Sequence, residues 1–203
     1  MLRYAITDRA RIPGDDPARQ AGLLQQAAHL VAEGVDYLQL RKKDLDPAAL
    51  ATLARTLLVT LRAHSPTPKL LINSRADIAV ATAADGVHLT SAPGALTLAD
   101  VHRLYASANL PEPIVSISCH TLTEVAAARD SGANLILFGP VFEKRVGTQL
   151  ISAGTGLDLL RTACAAASPT PVLALGGITA ENTAACLAAG AAGVAAIRLF
   201  MAL

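Results

Sequence analysis

The stretch Ile114–Phe142, which reads IVSISCHTLTEVAAARDSGANLILFGPVF, decides the fold. It opens with an apolar run rich in β-branched residues, which is typical of a buried strand. Thr121 and Glu124 have the spacing of a helix capping box, and the Ala-rich segment after them ends at Gly132. Asn134–Phe138 is the next apolar run. The stretch therefore predicts a strand–helix–strand unit in which polar residues follow the ends of the strands.

The same alternation continues along the rest of the chain and predicts eight strands and seven helices. The predicted strands are Arg3–Thr7, Tyr37–Leu40, Lys69–Ile72, Gly86–Leu89, Ile114–Cys119, Asn134–Phe138, Val172–Leu175 and Gly193–Ile197. Their apolar residues are continuous rather than alternating, which favours a parallel sheet that is buried on both faces. Eight repeats of strand and helix favour an α/β fold of the closed (β/α)8 TIM-barrel type.

Two segments depart from the regular repeat. Arg198–Leu203 can form at most a turn or two, so we expect the eighth helix to be short or missing. The flank of the barrel at that point is then either covered by a partner subunit or left partly open. Glu143–Thr155 shows no periodicity and is long for a connection, which favours a functional loop. Residues 1–203 are expected to form one domain.

The composition argues against several classes of function. Lys and Arg number 17 against 16 for Asp and Glu, so no net charge attracts nucleic acid or an anionic membrane. Aromatic residues make up 3% and Trp is absent, which argues against stacking of bases. No apolar run approaches the roughly 20 residues of a membrane span. The three separated cysteines fit buried thiols in a reducing compartment. We therefore expect a cytoplasmic protein that acts on a small molecule.

Polar residues follow the predicted second strand, at the end of the barrel where such folds bind their ligands. Gln39, Arg41 and Lys43 alternate there, and the period of a strand puts all three on one face. They offer an amide donor and two cations to an anionic ligand. The alternative is that Arg41–Asp44 is only a solvated charged loop.

A second group of candidate residues follows the last two predicted strands. Gly176 and Gly177 end the seventh strand, and Ile197 and Arg198 end the eighth. Barrels of this type bind phosphate at this place, where glycines let the ligand approach backbone N–H groups and a helix N-terminus adds its dipole. The alternative is that the glycines only turn the chain.

His120 is the candidate general acid or base, because it follows the fifth predicted strand and imidazole titrates near neutral pH. A lone histidine is more often a structural residue, and that alternative stays open. Ser118 lies on the same face of the strand and is the nearest candidate to orient His120 or the ligand. His88 falls inside the apolar run Val87–Leu89 and is interpreted as structural.

The whole chain resembles the superfamily of thiamin phosphate synthase and the TenI-type thiazole tautomerase. The resemblance rests on short motifs in a fixed order, namely Ile6–Asp8, Gln39–Lys43, Ile72–Arg75, Ala84–Leu89, Ser118–His120, Gly139–Phe142 and Gly176–Ile178. It implies the TIM barrel already predicted, usually as a homodimer. It also implies that Asn73 contacts the substrate.

The synthase of this superfamily joins an aminopyrimidine diphosphate to a thiazole phosphate and holds Mg²⁺ on two aspartates. In this chain Ser74 stands at one aspartate position and Pro93 at the other. The family's Thr-x-Thr-Lys phosphate loop is replaced by Lys144–Gly147. Mg²⁺ requires carboxylate oxygens, which neither Ser nor Pro supplies. These departures argue against metal-dependent transfer.

The tautomerase aromatises a carboxythiazole phosphate without a metal, using a histidine after the fifth strand that His120 matches. The resemblance therefore implies a thiazole tautomerase-like isomerase of thiamin biosynthesis with no metal or other cofactor. His120 would move the proton, Gly177 and the end of the eighth strand would hold the phosphate, and Arg41 and Lys43 would hold the other anionic end. Arg198 stands where the family has Ser, and either strengthens the phosphate contact or blocks it. The alternatives are a diverged synthase and a non-catalytic regulator that binds thiazole or thiamin phosphate.

Overall fold

The computed structural model describes residues 1–41, 45–63, 68–92, 94–146 and 149–201. Within these ranges the strands are β1 (Leu2–Ile6), β2 (Tyr37–Leu40), β3 (Lys69–Asn73), β4 (Gly86–Thr90), β5 (Ile114–Cys119), β6 (Leu135–Phe138), β7 (Lys144–Val146), β8 (Gln149–Ser152), β9 (Val172–Leu175) and β10 (Gly193–Ala196). Eight of them form a closed parallel barrel in the order β1-β10-β9-β6-β5-β4-β3-β2. The predicted TIM barrel is therefore confirmed.

Helices connect these strands on the outside of the barrel. They are α1 (Asp16–Ala32), α2 (Pro47–Arg62), α3 (Ala76–Thr82), α4 (Leu98–Ser107), α5 (Leu122–Asp130), α6 (Gly156–Ala167) and α7 (Ala180–Ala188). Thr97, Thr121 and Thr179 form complete capping boxes at the starts of α4, α5 and α7, which satisfies backbone N–H groups that have no partner inside the helix. No helix in the described ranges is long and apolar enough to cross a membrane.

The barrel has two separate apolar regions. The larger one lies between the strands and the surrounding helices. The smaller one fills the inside of the barrel and includes Tyr4, Leu71, Leu137 and Leu173. Because successive residues of a strand face opposite sides, every barrel strand except β4 contributes residues to both regions. Towards the carboxyl ends of the strands the inward positions become polar. We call this end of the barrel the mouth.

The segment after β6 corrects the sequence analysis. Glu143–Thr155 was expected to be a loop without regular structure, but β7 and β8 in it pair as an antiparallel hairpin. Leu150 and Ile151 are successive residues of β8 and are 47% and 50% exposed. Since these two residues lie on opposite faces of β8 and both are exposed, β8 does not alternate between apolar and polar residues. The period that identifies a half-buried strand is therefore absent.

The expectation of a short or missing eighth helix is confirmed. After β10 the described chain makes only a 3-10 turn, Arg198–Phe200. Phe200 is 5% exposed, and the guanidinium of Arg3 lies 5.5 Å from the centre of its ring. The amide nitrogen of Gln26 on α1 donates to the Phe200 carbonyl oxygen at 2.9 Å. The turn thus takes over part of the covering role of the missing helix.

Phe200→Ala tests whether this turn closes the barrel. Removing a buried aromatic side chain is expected to lower the free energy of unfolding by about 3–5 kcal/mol. The control is Leu104→Ala on α4, where the side chain is 40% exposed and a loss below about 1 kcal/mol is expected. Urea unfolding followed by circular dichroism measures both. Equal losses in the two variants would contradict a structural role for the turn.

Candidate active site

The residues predicted at the strand ends gather at the mouth of the barrel. Gln39 and Arg41 belong to the end of β2, Asn73 to β3, and Ser118 and His120 to the end of β5, with β4 between β3 and β5. Gln39 is 1% exposed, and its amide nitrogen donates to the Asn73 side-chain oxygen at 2.7 Å. The structure thus joins two of the predicted ligand contacts in one hydrogen-bonded pair.

The same pair leaves an acceptor without a partner. In the described part of the chain, the buried side-chain oxygen of Gln39 accepts no hydrogen bond. A buried polar atom of this kind costs free energy unless a ligand or water satisfies it. Arg41, two residues after Gln39, is half-buried, and its backbone N–H donates to the Thr7 hydroxyl at 3.0 Å. Lys43, predicted as the second cation, lies outside the described residues.

A line of four hydrogen-bonded polar side chains lies beneath the mouth. The Tyr4 hydroxyl is 3.0 Å from the Ser116 hydroxyl, which is 2.8 Å from Nδ1 of His88. Nε2 of His88 is in turn 2.9 Å from the Ser118 hydroxyl. Tyr4 and Ser116 are fully buried, His88 is 6% exposed, and Ser118 is half-buried. This line of hydrogen bonds therefore runs from the centre of the barrel to its mouth.

Burial, with a smaller contribution from the charge of Arg41, lowers the pKa of His88 from its ordinary value of 6.5 to about 4. His88 is therefore neutral at pH 7, with a proton on one nitrogen and a lone pair on the other. Sequence analysis interpreted His88 as structural and Ser118 as a candidate to orient His120 or the ligand. In the structure the Ser118 hydroxyl is hydrogen-bonded to His88, and its contact with the ligand stays a prediction.

His120 follows β5 and is exposed at the mouth. Its Nδ1 is hydrogen-bonded to the Gly139 carbonyl oxygen after β6, and its backbone N–H donates to the carboxylate of Glu124. A carbonyl oxygen can only accept, so Nδ1 carries the proton in this arrangement and Nε2 has the lone pair in the neutral ring. The position of His120 agrees with the sequence analysis, whereas its catalytic role stays a prediction.

The glycines after β9 have the backbone conformation that a close approach requires. Gly176 and Gly177 have φ of 91° and 66°, and a Cβ on either would lie 2.6 Å from the side chain of Pro140 or Phe142. In the described part of the chain, the N–H groups of Gly177 and Ile178 have no acceptor. They precede α7, whose N-terminus adds a favourable dipole for an anion.

The end of β10 lies beside this glycine turn, since β9 and β10 are neighbours in the barrel. Ile197 is half-buried there, and Arg198 is exposed at the start of the 3-10 turn. The structure thus brings all four residues of the predicted phosphate site to adjoining strand ends. Whether phosphate binds there stays a prediction.

The described donor set at the mouth does not fit Mg²⁺. Ser74 stands at the position of one aspartate in the resemblance, and its hydroxyl accepts from the Asn73 amide at 3.3 Å. Glu124 is occupied in capping α5, where it accepts from two backbone N–H groups. No group of three His, Cys, Asp or Glu that could hold a metal occurs in the described ranges. Pro93, at the other aspartate position, lies outside them.

Comparison with known proteins identifies the family to which this chain belongs. Residues 3–200 match the family described as thiamine monophosphate synthase. A relative from Geobacter sulfurreducens, provisionally named a thiamine-phosphate synthase, is 40% identical over 98% of this chain and 86% of its own length. The thiamine-phosphate synthase of Methanospirillum hungatei is 33% identical over 96% of this chain and 86% of its own. The chain belongs to the thiamine monophosphate synthase family.

A solved structure agrees with this assignment. The thiamine phosphate pyrophosphorylase from Pyrococcus furiosus is 26% identical, covers 98% of this chain with 87% of its own, and superimposes with a TM-score of 0.76. These comparisons overturn the expectation of a thiazole tautomerase-like isomerase, because relatives that match over the full length carry the name of the synthase. The substitutions at the two aspartate positions, Ser74 and Pro93, therefore do not remove the chain from the synthase family.

Sequence analysis missed Tyr4 and Ser116 as members of the site. The signal was present in β5, where Ser116, Ser118 and His120 alternate and must share one face of the strand. His88 is the register partner of Ser116 on the neighbouring strand. Only the pairing of β4 with β5 shows that the histidine lies against both serines.

The buried imidazole of His88 makes the stability of the protein sensitive to acid. Below pH 6.5 the unfolded chain gains a proton at this side chain, but the folded chain does not until about pH 4. The free energy of unfolding should therefore fall by about 2 kcal/mol between pH 7 and pH 4.5 through this group alone.

His88→Gln should remove that part of the loss, so that its stability depends less on pH than that of the wild type. Urea unfolding at pH 7 and pH 4.5 measures the difference, whatever the absolute stability of the variant. His29→Gln, which removes a half-exposed imidazole from α1, is the control. An unchanged pH dependence in His88→Gln would show that the imidazole is not buried in its neutral form.

Proposed function

We propose that the chain is a thiamine-phosphate synthase, a transferase that joins an aminopyrimidine diphosphate to a thiazole phosphate. The observation that carries the proposal is the match of residues 3–200 to the family, together with the synthase names of relatives that align over nearly their full length. In this reaction the bond between the pyrimidine methylene carbon and the diphosphate oxygen breaks, and the oxygen keeps the electron pair. The lone pair of the thiazole nitrogen forms the new bond to that carbon.

The arrangement of charge at the mouth supports this chemistry. The departing diphosphate develops negative charge, which positive groups fixed in a low-dielectric site stabilise. Arg41 is half-buried at the end of β2 and can meet a diphosphate oxygen with two parallel N–H groups. The N–H groups of Gly177 and Ile178, which have no acceptor in the described part of the chain, are suited to the thiazole phosphate. They follow β9, three strands away from β2 around the barrel.

The buried oxygen of Gln39 supports an aminopyrimidine as the other substrate. This oxygen has no donor in the described part of the chain, and an exocyclic amino group carries N–H donors. The partner amide of Asn73 holds Gln39 in place, so the acceptor is fixed before the ligand binds. A site built to satisfy a buried polar atom discriminates strongly against an analogue that lacks the matching group.

We further propose that the described residues act without Mg²⁺, since they supply no group of three His, Cys, Asp or Glu that could hold it. Arg41 and, beyond the described residues, Lys43 would neutralise the diphosphate instead. The homodimer that the resemblance implies and the cytoplasmic location both stay predictions.

The first test is the reaction itself. Purified protein mixed with the aminopyrimidine diphosphate and the thiazole phosphate should form thiamin phosphate, measured by liquid chromatography. Arg41→Met should reduce kcat/KM by roughly 10- to 100-fold, the loss of a hydrogen bond to a charged group. Arg62→Met at the far end of α2 is the control, since the only hydrogen bond of its guanidinium within the described residues is to the Ala83 carbonyl.

Two outcomes would count against this proposal. No turnover by the wild type, with tight binding of thiazole phosphate in calorimetry, would favour the non-catalytic regulator. Equal losses in Arg41→Met and Arg62→Met would show that Arg41 does not contact the substrate.

The second test concerns the metal. Turnover should be unchanged by a chelator and by added Mg²⁺, because Ser74 offers a neutral hydroxyl where a magnesium site needs a carboxylate. Ser74→Asp places a carboxylate at this position and should make turnover respond to Mg²⁺. Loss of wild-type activity with the chelator, restored by Mg²⁺, would contradict the metal-free proposal while leaving the synthase activity intact.

A further inference from the structure

The four side chains beneath the mouth form a single line of hydrogen bonds. Tyr4, Ser116, His88 and Ser118 are joined by contacts of 3.0, 2.8 and 2.9 Å. Within the described chain, the hydroxyl of Tyr4 has Ser116 as its only partner, and that of Ser118 has His88 as its only partner. Tyr4, at the inner end of the line, is fully buried, whereas Ser118, at the outer end, faces the mouth. The two ends are therefore not equivalent.

The number of protons available on the four side chains decides which atom donates in each of the three hydrogen bonds. Suppose first that Ser118 donates to His88, that Nδ1 of His88 donates to Ser116, and that Ser116 donates to Tyr4. The proton of the Tyr4 hydroxyl then has no acceptor in a fully buried place. If Tyr4 and His88 instead both donate to Ser116, the buried proton of Ser116 has no acceptor. Either arrangement leaves a buried donor unsatisfied, which is costly.

The opposite direction satisfies every buried donor. Tyr4 donates to Ser116, Ser116 donates to Nδ1 of His88, and the Nε2–H of His88 donates to Ser118. The one proton left over is that of the Ser118 hydroxyl, which is half-buried at the mouth. A ligand or water can accept that proton.

We infer that this line of hydrogen bonds holds Ser118 as a hydrogen-bond donor towards the ligand. Each member donates to the next, beginning at Tyr4. His88 and Ser116 are positioning residues, because they act through Ser118. The lowered pKa of His88 agrees with this, since the neutral ring has the lone pair that the chain requires.

The direction in which the hydrogen bonds of this line are donated restricts what Ser118 can bind. The ligand atom in contact with it must be an acceptor, such as a diphosphate oxygen or a ring nitrogen of the pyrimidine. The identity of this ligand rests on the proposed function. Gln39 presents the complementary group, an oxygen that accepts. The mouth thus offers one fixed donor and one fixed acceptor, which together would orient an aminopyrimidine diphosphate in one way.

The direct test is the tautomer of His88 in the free protein. Two-bond ¹H–¹⁵N spectra of protein labelled at histidine, with His88 assigned from its absence in His88→Gln, distinguish a protonated Nε2 from a protonated Nδ1. At pH 7 we expect the limiting shifts of the Nε2–H form alone. The Nδ1–H form, or shifts averaged between the two forms, would overturn the inference. This measurement does not depend on any enzymatic activity.

A kinetic cycle tests whether His88 acts through Ser118. Ser118→Ala should raise KM for the aminopyrimidine diphosphate by roughly 10- to 100-fold. His88→Leu should raise KM about tenfold in the wild type but less than twofold in the Ser118→Ala background. His88→Gln, which keeps an N–H for Ser118, should stay within about threefold of the wild type. Melting temperatures show that each variant is folded.

An equal effect of His88→Leu in both backgrounds would overturn the inference, because His88 would then act independently of Ser118. A wild type that makes no thiamin phosphate would count against the proposed function alone. The tautomer of His88 would still decide whether the chain of hydrogen bonds has the inferred direction.

Discussion

Closure of eight parallel strands into a barrel is the constraint on which the rest of the structure depends. A parallel sheet brings all carboxyl ends to one mouth, and the two-residue period of a strand sends every second side chain inside. A polar residue at an inward position therefore has only other inward residues as partners. This is why His88, in an otherwise apolar run, lies against two serines of the neighbouring strand. The same constraint places Gln39 against Asn73.

Sequence reasoning succeeded where the signal is local. Apolar runs, capping boxes such as that of Thr121, and glycines that end helices depend on neighbours in the chain, and the barrel follows from their repetition. It failed for the hairpin of β7 and β8, because Leu150 and Ile151 are exposed on opposite faces of β8 and impose no period. It did not find the contact between Ser118 and His88, because His88 approaches Ser118 through strand pairing across 30 residues of sequence.

The assignment of activity failed for a different physical reason. Replacing one aspartate by Ser74 removes a charge, and a local argument from coordination chemistry then excludes the transferase. Yet a site of this size distributes the stabilisation of an anion over cations, backbone N–H groups and helix dipoles. Loss of one contributor does not remove the others. The agreement with synthases extends over residues 3–200, whereas the tautomerase interpretation depended on a few positions, namely Ser74, Pro93, Lys144–Gly147 and His120.

Arg41 and His88 connect the charge of the mouth with the hydrogen bonds beneath it. Burial is the main cause of the lowered pKa of His88, and the positive charge of Arg41 lowers it further. An imidazolium would donate from both nitrogens, so Ser116 would have to turn its proton towards Tyr4 and leave the Tyr4 hydroxyl without an acceptor. The cation that favours an anionic ligand therefore also helps to keep His88 neutral. A bound anion would offset the effect of Arg41, and burial alone would then have to preserve the lone pair on Nδ1.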